Sequence, residues 1–143
     1  MADRTASVTW KGSLMDGWGT IERVGSGAFG PLDVTWASRA EDPDGRTSPE
    51  ELIAAAHAAC FSMALSAILG RAGMTAESIG TKATVTLEKV GEGFAVTASH
   101  LDTTVSIPGA DKAAFAQAVE AAKTGCPISK LLNAPITMDA KLL

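Results

Sequence analysis

Cysteine is scarce in this sequence: of 143 residues only Cys60 and Cys126 carry a thiol. They lie far apart, so neither belongs to a C-x-x-C redox pair. Basic charge is also in short supply. Lys and Arg number 12 against 16 Asp and Glu, the net charge is -4, and no basic run occurs, which argues against a nucleic-acid partner. The opening run MADRTAS holds an acid and no apolar stretch, so it does not read as a signal peptide. The expected compartment is the cytoplasm, where a stable structural disulfide is not the default. The glycine-rich run from Gly25 to Pro31 lacks the Lys-Ser/Thr pair of a phosphate loop and reads as a plain turn. No repeat, low-complexity tract or linker divides the chain, and its length suits one domain, residues 1–143, with a sizeable core.

What is present is one long apolar stretch, Ser48 to Arg71. Ser48 is placed to cap a helix, Pro49 fits the first helical position, and Glu50 and Glu51 set negative charge against the positive helix end. Ser48 and Glu51 have capping-box spacing. Nothing from Leu52 to Leu69 is formally charged, and Arg71 with Gly73 supplies the stop. The stretch is just long enough for a membrane span. It is built on alanine, however, and holds His57, Cys60, Ser62 and Ser66, so the favoured reading is a central helix buried on nearly all sides. Its small residues would let a second copy of the same helix approach closely.

The remaining chain alternates. Ser7–Lys11 reads as a strand, Asp16-Gly17 as a hairpin turn, Gly19–Val24 as its return, and Leu32–Arg39 as a further strand that carries Arg39 near its end. Beyond the helix, Thr81–Glu88 and Phe94–Ile107 form a hairpin around Gly91-Glu92-Gly93. The inward parity of the second strand changes, which calls for a bulge near Ser99 or His100. Phe115, Ala118, Val119 and Ala122 mark an amphipathic helix over Asp111–Thr124. Cys126-Pro127 opens a short helix, and Ile136–Leu142 is a last strand. Strand pairs in hairpin order with helices between them define an α+β fold with antiparallel sheets.

The residues alone leave the cysteines open. Cys60, in mid-helix, is either a small buried hydrophobe or a reactive thiol that needs a nearby cation; Arg39 is one of the few charged groups placed to supply it. Cys126 is either a small capping residue or a thiol facing the free amides of a helix start. His57 and Cys60 share a helix face, but a metal site would need Cys126 and His100 as well, which is a thin ligand set. His57 reads as a satisfied polar group in or beside the core.

Two separated motifs decide among these. The run Ser48-Pro49-Glu50-Glu51-Leu52 with Ala55-Ala56-His57-Ala58-Ala59-Cys60-Phe61-Ser62-Met63, and the distant Gly125-Cys126-Pro127-Ile128-Ser129, closely resemble the OsmC/Ohr family of osmotically inducible and organic hydroperoxide resistance proteins. The resemblance spans nearly the whole chain and favours the OsmC branch, because Arg39 precedes the central helix; Ala40 stands where that branch usually has Phe. It implies antiparallel sheets wrapped around the central helix in an intertwined homodimer. It also implies a thiol-dependent peroxidase acting on organic hydroperoxides more than on hydrogen peroxide. Cys60 is then the peroxidatic thiolate, Cys126 the resolving cysteine, and Arg39 and Glu50 the charged pair of the site. No cofactor, metal, nucleic acid or membrane is implied, and an external dithiol, lipoyl groups among the candidates, is the reductant. Glu50 and Cys60 are about 15 Å apart along one helix, so one guanidinium does not easily reach both, and composite sites in a dimer are expected. Two other classes compete: a stress-induced binding or structural protein with vestigial cysteines, and a thiol hydrolase or transferase using Cys60 with His57 as base.

Overall fold

The computed structural model describes residues 1–143. Its contacts gather into two compact units, Met1–Leu52 and Ile53–Leu143.

The first unit holds a three-stranded antiparallel sheet of β1 (Val8–Lys11), β2 (Trp18–Ile21) and β3 (Leu32–Val34), in that order. The β1–β2 turn closes where Gly17 N–H donates to the Ser13 carbonyl at 2.9 Å. A Cβ on Gly17 would lie 2.3 Å from that oxygen, so the turn requires glycine. Gly19 pairs with Trp10 on one side and Val34 on the other, and a Cβ there would come within 2.9 Å of both side chains.

The strand expected over Leu32–Arg39 stops at Val34. Thr35 caps a short helix, α1 (Trp36–Ala40), in a reciprocal capping box: Ser38 N–H donates to Thr35 Oγ1 at 3.0 Å and Thr35 N–H to Ser38 Oγ at 2.9 Å. The alternation of Leu32, Val34 and Trp36 mimics a strand, but two satisfied amide groups settle the local competition for helix. Arg39 therefore projects from a helical turn, not a strand end. The following loop is tied back by Ser38 Oγ, which donates to the Thr47 carbonyl at 3.0 Å. Ser48 Oγ then accepts from Glu51 N–H at 3.1 Å at the start of α2 (Pro49–Arg71), the helix its capping signals announced. Its first turn belongs to this unit.

The second unit holds the rest of α2, β4 (Ser78–Val90), β5 (Gly93–Ser106), α3 (Lys112–Gly125), α4 (Pro127–Leu131) and β6 (Ile136–Leu142). Its sheet runs β4-β5-β6. β4 and β5 form the expected antiparallel hairpin, whereas β6 joins β5 in parallel. Because α3 and α4 intervene as a crossover, the last strand re-enters in the same direction as β5. The bulge lies two residues before the expected place. Thr86 pairs with Ala98 and Leu87 with Val96, which leaves Thr97 as the extra residue. Beyond it Ser99, Leu101, Thr103 and Val105 all face the interior. With Phe94, Val96 and Ala98 taken as one inward set and Leu101, Val105 and Ile107 as the other, the parity change called for an extra residue after Ala98; Ala98 already lies beyond the bulge, so the extra residue falls earlier.

Phe61, Leu65 and Leu69 of α2 form one core with Leu101 and Val105 of β5 and with Phe115, Ala118, Val119 and Ala122 of α3. Each of the fully buried large side chains contributes about 1.5–3 kcal/mol by leaving water. The α3 face is the one its periodicity predicted. The expectation that α2 is a central buried helix is met by one chain on one side only. Within one chain its fully buried row in this unit is His57, Phe61, Leu65 and Leu69. Ala55, Ala56, Ala59 and Ala67 are exposed, and Met63 retains 73% of its accessible surface. The residues are apolar all round, but one chain supplies partners for only one side.

Candidate active site

In the second unit, α2 and the α3–α4 junction bring the two cysteines together. Both are free thiols; Cys60 is half-buried and Cys126 fully buried, and they approach to 3.4 Å. Cys126 is the cap between the two helices. Its N–H donates to the Ala122 carbonyl of α3 at 3.0 Å, and its Sγ accepts from the Ser129 N–H of α4 at 3.3 Å. Pro127 takes the first position of α4, where a missing amide hydrogen costs nothing. Gly125 and Pro127 thus stop one helix and start the next around a single sulfur.

Burial pushes the Cys60 thiol above its ordinary value, and the neighbouring Cys126 adds to the rise; the Ile128 backbone amide, which favours the thiolate, opposes it. The balance is upward, so a reactive Cys60 needs a cation beyond these neighbours.

His57 lies one turn before Cys60 on α2 and is fully buried. Its Nδ1 meets Ser99 Oγ of β5 at 2.7 Å and its Nε2 meets Ser129 Oγ at 2.8 Å. Ser129 Oγ in turn lies 3.1 Å from Cys126 Sγ. Burial holds the imidazole below its ordinary value and so neutral. The satisfied polar group expected from the sequence is what stands here. Ser99 and Ser129 were not singled out; Ser129 lay in the Cys-Pro motif itself, while Ser99 carried no signal beyond its place near the parity change. The metal reading over His57, Cys60, Cys126 and His100 is not what the structure assembles. His100 instead faces Asp102 and Asp139 at 3.4 and 3.3 Å on the exposed side of the β5–β6 pair.

In the first unit the other two expected site residues meet each other. Arg39 Nη2 donates to Glu50 Oε1 at 2.8 Å, and Nε contacts Oε1 and Oε2 at 3.1 and 3.2 Å. The carboxylate is buried and the guanidinium partly exposed. Planar two-point pairing of this kind fixes the fork's direction as well as its charge. Arg39 also lines a cavity of about 570 Å³ whose other walls include Trp10, Ile21, Val34, Trp36 and Leu52. It is an apolar chamber with one cation on its wall.

Fold and site together define a thiol protein with two juxtaposed cysteines. Residues 42–141 match the family of OsmC-like proteins, and the chain belongs to that family. It is 47% identical over 133 residues to the protein named Peroxiredoxin OsmC from Escherichia coli (strain K12), covering 93% of this chain and 92% of that one; the Shigella flexneri protein of the same name matches equally. Among solved structures, the organic hydroperoxide resistance protein OhrB of Bacillus subtilis is 26% identical, with a TM-score of 0.66 over 97% of this chain and 98% of that one. An OsmC-like protein of unknown function from Vibrio cholerae shares the fold at a TM-score of 0.75 and 19% identity, over 98% and 99% of the two chains.

Proposed function

We propose that this protein is a thiol-dependent peroxidase that reduces organic hydroperoxides to alcohols. A peroxidase-type redox role follows from its family and from its peroxiredoxin relatives. The observation that carries the finer reading is the approach of two free thiols, Cys60 and Cys126, to 3.4 Å.

In this reading the Cys60 thiolate attacks one peroxide oxygen, the O–O bond breaks, and the alkoxide leaves and takes a proton to become the alcohol. Cys60 is left as a sulfenic acid. Cys126 Sγ attacks it, the S–O bond breaks, water leaves, and a Cys60–Cys126 disulfide remains. An external dithiol, of which lipoyl groups are an example, restores both thiols. The chain supplies every reacting group but the peroxide and the dithiol, and no prosthetic group enters. Arg39 is the cation that the raised Cys60 thiol calls for, and it steadies charge on the departing oxygen. Glu50 aims it. The apolar chamber beside Arg39 suits an organic peroxide better than hydrogen peroxide.

The assembly we infer is a homodimer. The exposed apolar face of α2, with Ala55, Ala56, Ala59 and Met63, is the surface a second α2 would cover. Arg39 is already committed to Glu50, about 15 Å along the helix from Cys60, so two composite sites follow if each chain's pair serves its partner's thiol. We read residues 1–143 as one such domain, working in the cytoplasm. The test is reduction of cumene hydroperoxide by the purified chain with a dithiol. Turnover that needs Cys60 supports the reading; a protein inert to peroxide is the binding or structural protein instead.

A further inference from the structure

One buried group has no part in the peroxidase scheme above. His57 sits between Ser99 and Ser129, and the chain of contacts runs on from Ser129 Oγ to Cys126 Sγ. Every polar atom in this buried line is partnered. His57 and Ser99 keep none of their surface, and Ser129 keeps 7% of its own. Hydrophobic side chains could fill the same volume with no desolvation cost. What the polar line adds is direction, because it ends on the sulfur of a thiol assigned to attack.

We propose that His57 acts through Ser129 as the proton acceptor for Cys126 when that thiol attacks the Cys60 sulfenic acid. The proposal rests on the peroxidase reading of the two cysteines. The geometry suits it on three counts. The neutral imidazole has one ring nitrogen free to accept, and if Nδ1–H donates to Ser99 Oγ that nitrogen is Nε2, facing Ser129. Ser129 Oγ is within reach of both Nε2 and Cys126 Sγ, at 2.8 and 3.1 Å, so its hydroxyl passes one proton on as it receives another. The sulfur is buried, so bulk water is a poor competitor for that proton.

The step balances as follows. The Cys126 S–H bond breaks and its proton goes to Ser129 Oγ, while the Ser129 hydroxyl proton goes to His57 Nε2. Cys126 Sγ uses the freed electron pair to form the S–S bond with Cys60. The Cys60 S–O bond breaks and hydroxide leaves with that bond's electrons. The imidazolium then gives its proton back to Ser129 Oγ, whose own hydroxyl proton goes to the departing hydroxide, and that hydroxide becomes water. Cys60 sulfur is reduced from the sulfenic level, Cys126 sulfur is oxidised, and no further reagent is consumed. On reduction of the disulfide the same line runs backward and delivers a proton to the departing Cys126 sulfur. His57 is a positioning and relay group; Ser129 alone of the pair touches a reacting atom.

Rapid mixing of the reduced full chain with one equivalent of cumene hydroperoxide tests this, with sulfenic acid trapped by dimedone and the disulfide read by mass spectrometry at successive times. His57→Gln keeps hydrogen-bonding capacity toward both serines but removes the base. The expected result is wild-type formation of the Cys60 sulfenic acid followed by disulfide closure about a hundredfold slower, with more dimedone adduct. In the wild type, closure slows in D2O; in the variant that sensitivity is lost, which a packing role alone would not produce. If His57→Gln does not fold, Ser129→Ala breaks the relay with His57 in place and is expected to slow closure alike. Closure at the wild-type rate in the folded variant overturns the relay and leaves the peroxidase reading standing. Absence of both sulfenic acid and disulfide in the wild type overturns both.

Discussion

Cys60 and Cys126 meet at 3.4 Å as free thiols, one from the middle of α2 and the other from the cap between α3 and α4. The Cys60 position is not reactive by secondary structure alone. A mid-helix thiol has no free amide beside it from its own turn, and burial raises Cys60. In the proposed mechanism their pairing supplies what neither has singly: a resolving partner within reach before the first oxygen is transferred.

Cys60→Ser is expected to bring peroxidase turnover to background while the fold survives. The side chain is half-buried and the exchange is nearly isosteric, so the cost in stability should be about 1 kcal/mol or less. Dithiol-dependent turnover together with a thermal melt checks both halves. Substantial activity in this variant would contradict the mechanism.

Cys126→Ser removes the sulfur proposed to resolve the sulfenic acid and leaves the one proposed to attack the peroxide. The variant should consume one peroxide equivalent per chain and stop, and excess peroxide should drive Cys60 on to the sulfinic acid. Intact mass after stepwise peroxide addition reads this directly. Continued turnover at the wild-type rate would mean that the external dithiol attacks Cys60 without Cys126.

Arg39→Ala is expected to move the alkylation of Cys60 to higher pH. Burial already disfavours the thiolate, and in the proposed mechanism the Arg39 guanidinium is the charge that offsets this, which the substitution removes. The same change leaves the Glu50 carboxylate buried without its partner, at a cost of about 1–3 kcal/mol. An unchanged iodoacetamide pH profile removes Arg39 from the site whatever happens to stability.

His57 also carries a stability signature. Its folded-state value lies below the ordinary 6.5 because of burial, so the unfolded chain binds the extra proton first. Stability is unaffected well above 6.5 and falls as the pH drops below it, by at most about 1.4 kcal/mol per pH unit for one group. His57→Gln should flatten that decline in denaturant titrations taken between neutral and mildly acid pH. An equally steep decline in the variant would place the titrating group elsewhere.

Met63→Glu puts a charge on the exposed face of α2, where Met63 keeps 73% of its surface. Sedimentation should show the wild type as a dimer and the variant as a monomer with lower peroxidase activity. Two monomers would contradict composite sites.

The central helix was legible residue by residue, because its start and stop are local chemistry: Ser48, Pro49, Glu50 and Glu51 at one end and Arg71 at the other. The buried face of α3 was equally plain from its spacing. Arg39 was placed on the wrong element, since Thr35 and Ser38 form a capping box inside a stretch that alternates like a strand. The parallel entry of β6 was out of reach, because strand direction follows from the crossover and not from any residue in the strand. Of the candidate site, Glu50 and both thiols lie in the two motifs, and Arg39 was placed through the family resemblance. The line from His57 to Cys126 could not be named, since Ser99 and Ser129 are ordinary serines until the fold sets them on either side of one ring.

The most direct measurement is a thiol count on the reduced protein after one equivalent of cumene hydroperoxide, with any disulfide mapped by mass spectrometry. Loss of two thiols per chain with a Cys60–Cys126 link is the predicted result. Retention of both thiols, still open to alkylation after denaturation, would contradict the account and leave an OsmC-like fold without peroxidase chemistry.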